Sequence, residues 1–328
     1  MRTSLARPPG YGSRCSAKNP QTVGRVESSF SSSRPIKEPR GPTSPPAGGA
    51  AFHEFARDIK IEHSLFALPF AFLGLLAALR TGRGTVTLPL LLLVLLAMVT
   101  ARSAAMGFNR LLDAEIDARN PRTKDRAIPS GRLSKKTAAI IVFLFSLAFV
   151  DIAFLINATA GILSPIALAI LFGYSSTKRH TALCHLVLGI TLSLAPLGGW
   201  IAVAGMPIPE LFLLAAGMIL WVAGFDILYS LLDLDFDRRH GIRSLPALIG
   251  PFRARILAAL LHAAAFSLFL AFGRQLDLGT AWNLSCLAVG LLLTAEHILA
   301  RNPRGIPIAF FHLNAAVGFL LLGGLYFS

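Results

Sequence analysis

Asn109, Asp113 and Asp117 recur at intervals of four, and Asp233 and Asp237 repeat that interval in the second half of the chain. On an α-helix, residues four apart lie one above the other, so each set would project its oxygens from one face. Asp226, seven residues before Asp233, falls on nearly the same face. Carboxylates a turn apart, with no His or Cys beside them, suit a hard divalent cation. Mg2+ fits best, because it takes one or two carboxylates and completes its shell with water and phosphate oxygens. Arg102, Arg110, Lys178 and Arg179 are the nearby cations that would meet the remaining negative charge. Acidic ladders beside cations describe a site for a metal-bound diphosphate. A single Asp near a helix end is often only a cap or a dipole partner; repetition of the ladder argues against that here.

The acidic residues are also unevenly placed. Twelve follow Glu62, and eight of those fall in two short stretches: Asp113, Glu115, Asp117 and Asp125, then Asp226, Asp233, Asp235 and Asp237. Such clustering is costly beside hydrocarbon unless something neutralises it, and hydrocarbon is what the rest of the chain implies. Of 328 residues 54% are hydrophobic and 15% charged, and the mean hydropathy is +0.62. These values exclude a water-soluble enzyme and make the lipid bilayer a partner.

Nine apolar segments are expected near 64–80, 85–108, 137–156, 159–174, 182–204, 210–230, 254–272, 280–299 and 307–327. Segments of this size suit a hydrocarbon layer about 30 Å thick, and the interior prolines Pro69, Pro165 and Pro196 are tolerated where neighbours satisfy the freed carbonyls. The fold class is therefore an all-α integral membrane protein, with the two acidic helix ends forming a pseudo-repeat that faces one cavity. Loops 109–136, 175–181, 231–253 and 300–306 hold most of the basic residues, which puts them and the N-terminus inside and the C-terminus outside. The net charge of +14 reports this topology, and no nucleic-acid partner is expected. Arg132, Lys135, Lys136, Arg253 and Arg255 read as topology anchors.

Residues 1–50, rich in Ser, Pro, Gly and Arg, cannot bury a core and are expected to form a disordered tail before the membrane domain of 51–328. A mitochondrial transit peptide shares their basic bias, but Pro and Gly spoil an amphipathic helix, so a bacterial tail or an over-long start is preferred. Cys15, Cys184 and Cys286 suggest neither a disulfide framework nor zinc. The eight histidines lack ligand spacing, and for His185 packing or a local hydrogen bond is expected.

Three stretches carry a resemblance. NRLLDAEIDARNPRTKDRAIPSGR from Asn109 resembles the first signature of the UbiA superfamily of membrane prenyltransferases, FDILYSLLDLDFDRRHGIRSLP from Phe225 its second Asp motif, and YSSTKR from Tyr174 its Y-x-x-x-K element. The opening IEHSLFALPFAF and HLVLGITLSLAPLGGWIAV are similar to the quinone-biosynthesis branch, so the likeness covers nearly all of 55–328. Leu232 departs from the pattern, standing where many relatives carry an amide.

The resemblance implies nine transmembrane helices around a central cavity, a cap made by the inner loops, and Mg2+-dependent transfer of a polyprenyl chain from polyprenyl diphosphate to an aromatic acid. It implies that Asn109, Asp113 and Asp117 form one metal–diphosphate site and Asp233 and Asp237 the other. Lys178 would neutralise the departing diphosphate, Tyr174 would shape the site, and Arg179 would meet the acceptor's carboxylate or the diphosphate. Apart from the resemblance, Asp226, four residues inside the helix end, is expected either to take a phenolic or ring proton or to serve a structural or outer-shell metal role. 4-Hydroxybenzoate is the expected acceptor and 1,4-dihydroxy-6-naphthoate the alternative, at a bacterial inner membrane or, failing that, a mitochondrial one. A membrane transporter is the rival class, but its charges would be expected near the midplane rather than at the inner surface.

Overall fold

In lipid every backbone N–H must be bonded within the protein, so apolar stretches of sufficient length become helices. The computed structural model describes residues 49–59 and 68–328, apart from the side chains of Lys178 and Arg179, and the described residues contain helices and no strand. The expected tail lies outside the described residues except for Gly49 and Ala50.

Helix α1 (Gly49–Asp58) is followed by α2 (Leu68–Arg80), α3 (Leu88–Arg119), α4 (Lys135–Ile156), α5 (Ala158–His180), α6 (Cys184–Ala204) and α7 (Leu211–Ser230). A tight 3-10 turn, Leu231–Asp233, leads into α8 (Leu234–His240), then α9 (Leu245–Ile249), α10 (Pro251–Gln275) and α11 (Thr280–Leu299). One turn, α12 (Ile306–Ile308), passes through a wider π turn, Ala309–Leu313, into α13 (Asn314–Tyr326). Eight helical stretches among the described residues are long and apolar enough to cross a membrane, and α2 is a shorter apolar helix of 13 residues. Among the described residues, all nine expected apolar segments therefore appear as helices, the first of them from Leu68.

Polar caps set several boundaries. Thr87 Oγ1 accepts from Leu90 N–H at the start of α3, with Pro89 in the first turn, and Ser134 Oγ accepts from Thr137 N–H at the start of α4. Asn157 ends α4 and begins α5: its Oδ1 accepts from Ala160 N–H while its Nδ2 donates to Ile201 O of α6.

One boundary differs from expectation, and one bears it out. Helix α5 runs on through 175–180, so the Y-x-x-x-K residues sit on a helix end and not in a loop. Helix α3 continues to Arg119, giving 32 residues; at about 1.5 Å per residue that exceeds a hydrocarbon core of about 30 Å, so its last turns carry the acidic ladder beyond the hydrocarbon. The second ladder is also altered. Asp233 lies in the 3-10 turn and Asp237 in α8, so the pair straddles a change of helical pitch.

With lipid as solvent, packing and hydrogen bonds rather than water exclusion hold helices together. Pairwise packing links α2, α6, α7, α10, α11 and α13 in a closed ring, while α3, α4 and α5 pack in sequence and return to α6. Helices α2 and α6 cross at Gly74 and Gly199, where a Cβ would run into the carbonyl oxygens of Pro196 and Ala71. The ring is filled by Phe70, Trp221, Phe225, Phe269, Phe272 and Trp282, all buried. Leu92, Leu96, Phe143, Leu144, Leu155 and Leu291 are exposed on the outside, which in this solvent is the lipid face.

The α3–α5 group is not filled. Together with α2, α6 and the start of α7 it encloses a cavity of about 460 Å³. Helices α10, α11 and α13 do not line this cavity; large aromatic side chains occupy the space among them.

Candidate active site

The cavity is apolar along most of its length, with Val94, Ala97, Met98, Leu188 and Ala195 in its wall. Its polar lining includes Arg102, Asn109 and Tyr174. Three of the expected site residues, from α3 and α5, are thus brought to one space. One and two turns beyond Asn109 on the same face of α3 come Asp113 and Asp117, both buried. Asp237 is buried and Asp233 partly so, whereas Glu115 and Asp235, which lie off the ladder register, are exposed, as is Asp125 beyond the end of α3. Burial follows the four-residue interval.

Arginines hold the ladder carboxylates. Arg126 Nη1 donates to Asp117 Oδ2 at 2.6 Å. Arg122 approaches Asp233 with two parallel bonds, Nε to Oδ1 at 3.1 Å and Nη2 to Oδ2 at 2.5 Å, the fork geometry in which guanidinium matches carboxylate. Burial alone would lower the Arg122 pKa, but the hydrogen bond and charge of Asp233 outweigh it and raise it above the ordinary arginine value. The Arg122 guanidinium also stands 5.9 Å from the Tyr229 ring centre. Residues 120–134 therefore join the acidic end of α3 to that of α7 and α8.

This connecting segment is itself clamped. Ala127 N–H donates to Asp58 Oδ1 at 2.9 Å, Arg132 pairs with Glu54 at 3.0 Å, and Arg110 lies 3.6 Å from Asp58. Beneath these polar links, Ala51, Phe55 and Ile59 pack with Ala127, Ile128 and Leu133. Arg132, read as a topology anchor, has a specific partner, and Arg110, read as a diphosphate cation, faces α1. Helix α1, Arg122 and Arg126 were missed as parts of the site. The only sequence signal for the two arginines was their place within N-P-R-T-K-D-R directly after the first ladder.

Asp226 is separate from these pairs: its Oδ2 lies 2.7 Å from His185 Nδ1 on α6. His185 thus makes the local hydrogen bond expected of it. Tyr174, in the cavity lining, feels the charges of Asp226 on α7 and of Asp113 and Arg110 on α3. Lys178 and Arg179 fall in the last turn of α5, and their side chains lie outside the described residues.

No group of three His, Cys, Asp or Glu side chains is gathered as a ready metal cage among the described residues. The donors present are carboxylate and amide oxygens, and two of the carboxylates hold guanidinium, a cation bound through oxygen alone. That donor set fits a hard divalent ion, which needs few protein ligands when phosphate supplies the others.

The fold and site define a multi-pass α-helical membrane protein with an apolar cavity whose lining reaches Asn109, one turn of α3 before the buried Asp113. The profile of the UbiA prenyltransferase family matches residues 67–316, and the chain belongs to that family. It is 31% identical over 254 residues to a 4-hydroxybenzoate octaprenyltransferase of Vibrio cholerae serotype O1, covering 77% of this chain and 89% of that one. It is 30% identical over 276 residues to the enzyme of the same name from Yersinia pseudotuberculosis, covering 84% and 95%. Among solved structures it is similar to an apo UbiA homolog from Aeropyrum pernix K1, with a TM-score of 0.74, 37% identity and coverage of 81% and 98%. A UbiA homolog from Archaeoglobus fulgidus bound to GPP and Mg2+ shares the fold, with a TM-score of 0.63, 19% identity and coverage of 82% and 99%.

Proposed function

We propose that this protein transfers a polyprenyl group from polyprenyl diphosphate to the ring of 4-hydroxybenzoate. The observation that carries this reading is the polarity of the cavity, whose apolar wall leads along α3 to Asn109 and then to Asp113 and Asp117. A prenyl diphosphate has the same order of apolar tail and anionic head. The name shared by the Vibrio and Yersinia relatives supports the acceptor.

Asn109, Asp113 and Asp117 on one side, and Asp233 and Asp237 on the other, would hold Mg2+. When bound, the ion supplies Lewis-acid stabilisation of the charge developing on the leaving diphosphate. The rest of the reaction falls to the chain's own residues. Arg122 and Arg126 neutralise two of the carboxylates and hold 120–134 across the site. Lys178 is assigned to the departing diphosphate, Arg179 to that group or to the acceptor's carboxylate, and Tyr174 to shaping the space between them. Arg102 faces the same cavity. The apolar wall keeps water from an allylic cation that water would capture. Leu163, Ile166 and Phe212 line the cavity and are exposed on the lipid face, offering the prenyl tail a sideways route into the bilayer. The bacterial relatives support a bacterial inner membrane, and the basic inner loops favour placing the acidic ends on its cytoplasmic side.

Membranes containing the protein, incubated with labelled polyprenyl diphosphate, Mg2+ and 4-hydroxybenzoate, should yield prenylated product by mass spectrometry. Product with 1,4-dihydroxy-6-naphthoate alone would keep the site and replace the acceptor. No product and no diphosphate release with either would overturn the reading in favour of a transport role.

A further inference from the structure

His185 lies in the first turn of α6, almost wholly buried, and bridges two other elements. One ring nitrogen, Nδ1, meets Asp226 Oδ2 of α7 at 2.7 Å. The other, Nε2, accepts from the backbone N–H of Leu245 at 3.3 Å. A neutral imidazole carries one donor and one acceptor. With Nε2 accepting, the proton resides on Nδ1 and is donated to the carboxylate, so a backbone amide from α9 sets the tautomer that orients Asp226.

The pair lies beside the cavity, at the start of α6. Leu188, Thr191, Leu192 and Ala195, on the turns of α6 that follow His185, line the cavity. Tyr174, also in the lining, is in electrostatic contact with Asp226. Asp226 keeps 19% of its side chain exposed although His185 keeps only 3%, so the carboxylate is reachable while its partner is not. Among the described residues, Cys184 beside it on α6 and Asp226 act on His185, and Tyr174 from α5 feels Asp226 together with Asp113 and Arg110 of α3. Neither His185 nor Asp226 belongs to the ladders assigned to Mg2+.

We propose that His185 and Asp226 form the acceptor-activating pair, in which Asp226 takes the phenolic proton of a hydroxyarene and His185 is the positioning residue that aims it. This rests on the reading of the site as an aromatic prenyltransferase. As the ring carbon beside the hydroxyl attacks, the phenolic O–H bond breaks and its proton passes to Asp226. The allylic C–O bond breaks with its electron pair leaving on diphosphate, and the ring supplies the pair for the new C–C bond. The hydrogen on the substituted carbon then moves as a proton to the phenolic oxygen and restores aromaticity. Overall one proton and one diphosphate are released. Because Leu245 N–H occupies Nε2, the proton cannot be relayed through the imidazole. It leaves Asp226 for water when product departs. The substrate class is thus a hydroxyarene with a free hydroxyl next to the attacked carbon, and its O-methyl ether is not prenylated.

The test uses the full chain in lipid nanodiscs with polyprenyl diphosphate, Mg2+ and 4-hydroxybenzoate or the naphthoate, whichever the wild type accepts. Asp226→Asn is isosteric and can still accept from His185. It should lower the transfer rate at neutral pH by roughly 10² to 10⁴, the usual contribution of a general base. Its rate should then rise about tenfold per pH unit as the phenol, with a pKa near that of tyrosine at about 10, ionises unaided. The wild-type rate should be much less steep over the same range. His185→Ala should lower kcat at least tenfold with donor KM within twofold, and His185→Gln, whose amide N–H can still reach Asp226, should recover most of the loss. Active wild type with an Asp226→Asn profile parallel to it, or a rise in donor KM that accounts for both losses, would overturn the pair's role while leaving the function standing. A wild type that prenylates no hydroxyarene and releases no diphosphate would instead overturn the functional reading, and the pair's role with it.

Discussion

The two halves of the membrane domain share their polar ends but not their interiors. Helices α3 and α7 both lead into acidic segments, and Arg122 reaches from the segment after α3 to Asp233 after α7. Between these ends and the far side, the first half encloses about 460 Å³ of space while the second is filled by Trp221, Phe225, Phe269, Phe272 and Trp282. The walls explain the difference. Where the first half presents Ala97, Ala101, Ala105, Ala160 and Ala167, short side chains cannot meet across the gap. In the second, indole N–H groups are also satisfied internally, from Trp221 to Asn314 Oδ1 at 3.0 Å and from Trp282 to Phe269 O at 2.9 Å. A repeated acidic end can therefore serve one shared site while only one half holds the apolar tail.

Replacing single ladder carboxylates gives the largest expected effect. Asp113→Asn, at a fully buried position, should reduce Mg2+-dependent transfer on the order of 10³-fold, comparable to losing a key transition-state contact. Asp233→Asn should do the same within tenfold, measured as product formed in membranes. A rate for Asp233→Asn within twofold of wild type would break the idea that both halves serve one site.

Next come the interiors. Trp221→Ala removes a buried ring and leaves Asn314 without its indole partner, and should cost about 3–5 kcal/mol, read from thermal unfolding in a fixed detergent. Ala167→Phe, pointing bulk into the cavity wall, should change stability by less than about 1.5 kcal/mol. It should slow transfer from long prenyl donors more than from short ones. Equal slowing across donor lengths would show that the tail does not use this cavity.

The smallest effects separate the two ion pairs. Arg126→Ala strands Asp117, whose side chain is 8% exposed, and should cost about 1–3 kcal/mol. Arg122 is 44% exposed and Asp233 21%, so screening should keep the loss from Arg122→Ala within about 1 kcal/mol. Thermal unfolding of the two variants side by side checks the order, and a larger loss at Arg122 would reverse it.

Much of the site was legible because its pattern is local. Asn109, Asp113 and Asp117 read as one helical face from their spacing, and the structure keeps that face intact with the two acids buried. Asp233 and Asp237 read the same way, yet the chain changes pitch between them, because a four-residue interval does not distinguish one helix from two joined by a tight turn. Arg132 looked like a topology anchor because its partner Glu54 lies 78 residues away. Helix α1 escaped notice because its apolar side is only Ala51, Phe55 and their neighbours, too short a pattern to stand out beside membrane spans.

Taken alone, the sequence determined the membrane class, the course of the apolar helices, the family and the carboxylate ladders. Each depends on helical period and on the demand of lipid that the backbone bond to itself, both of which act within a segment. Only the tertiary structure decided that the first half is hollow and the second packed, that Arg122 holds Asp233 across 111 positions, and that His185 meets Asp226 across 41. Those outcomes depend on which side-chain volumes and hydrogen-bonding groups meet when distant helices cross, and no local interval in the chain records that.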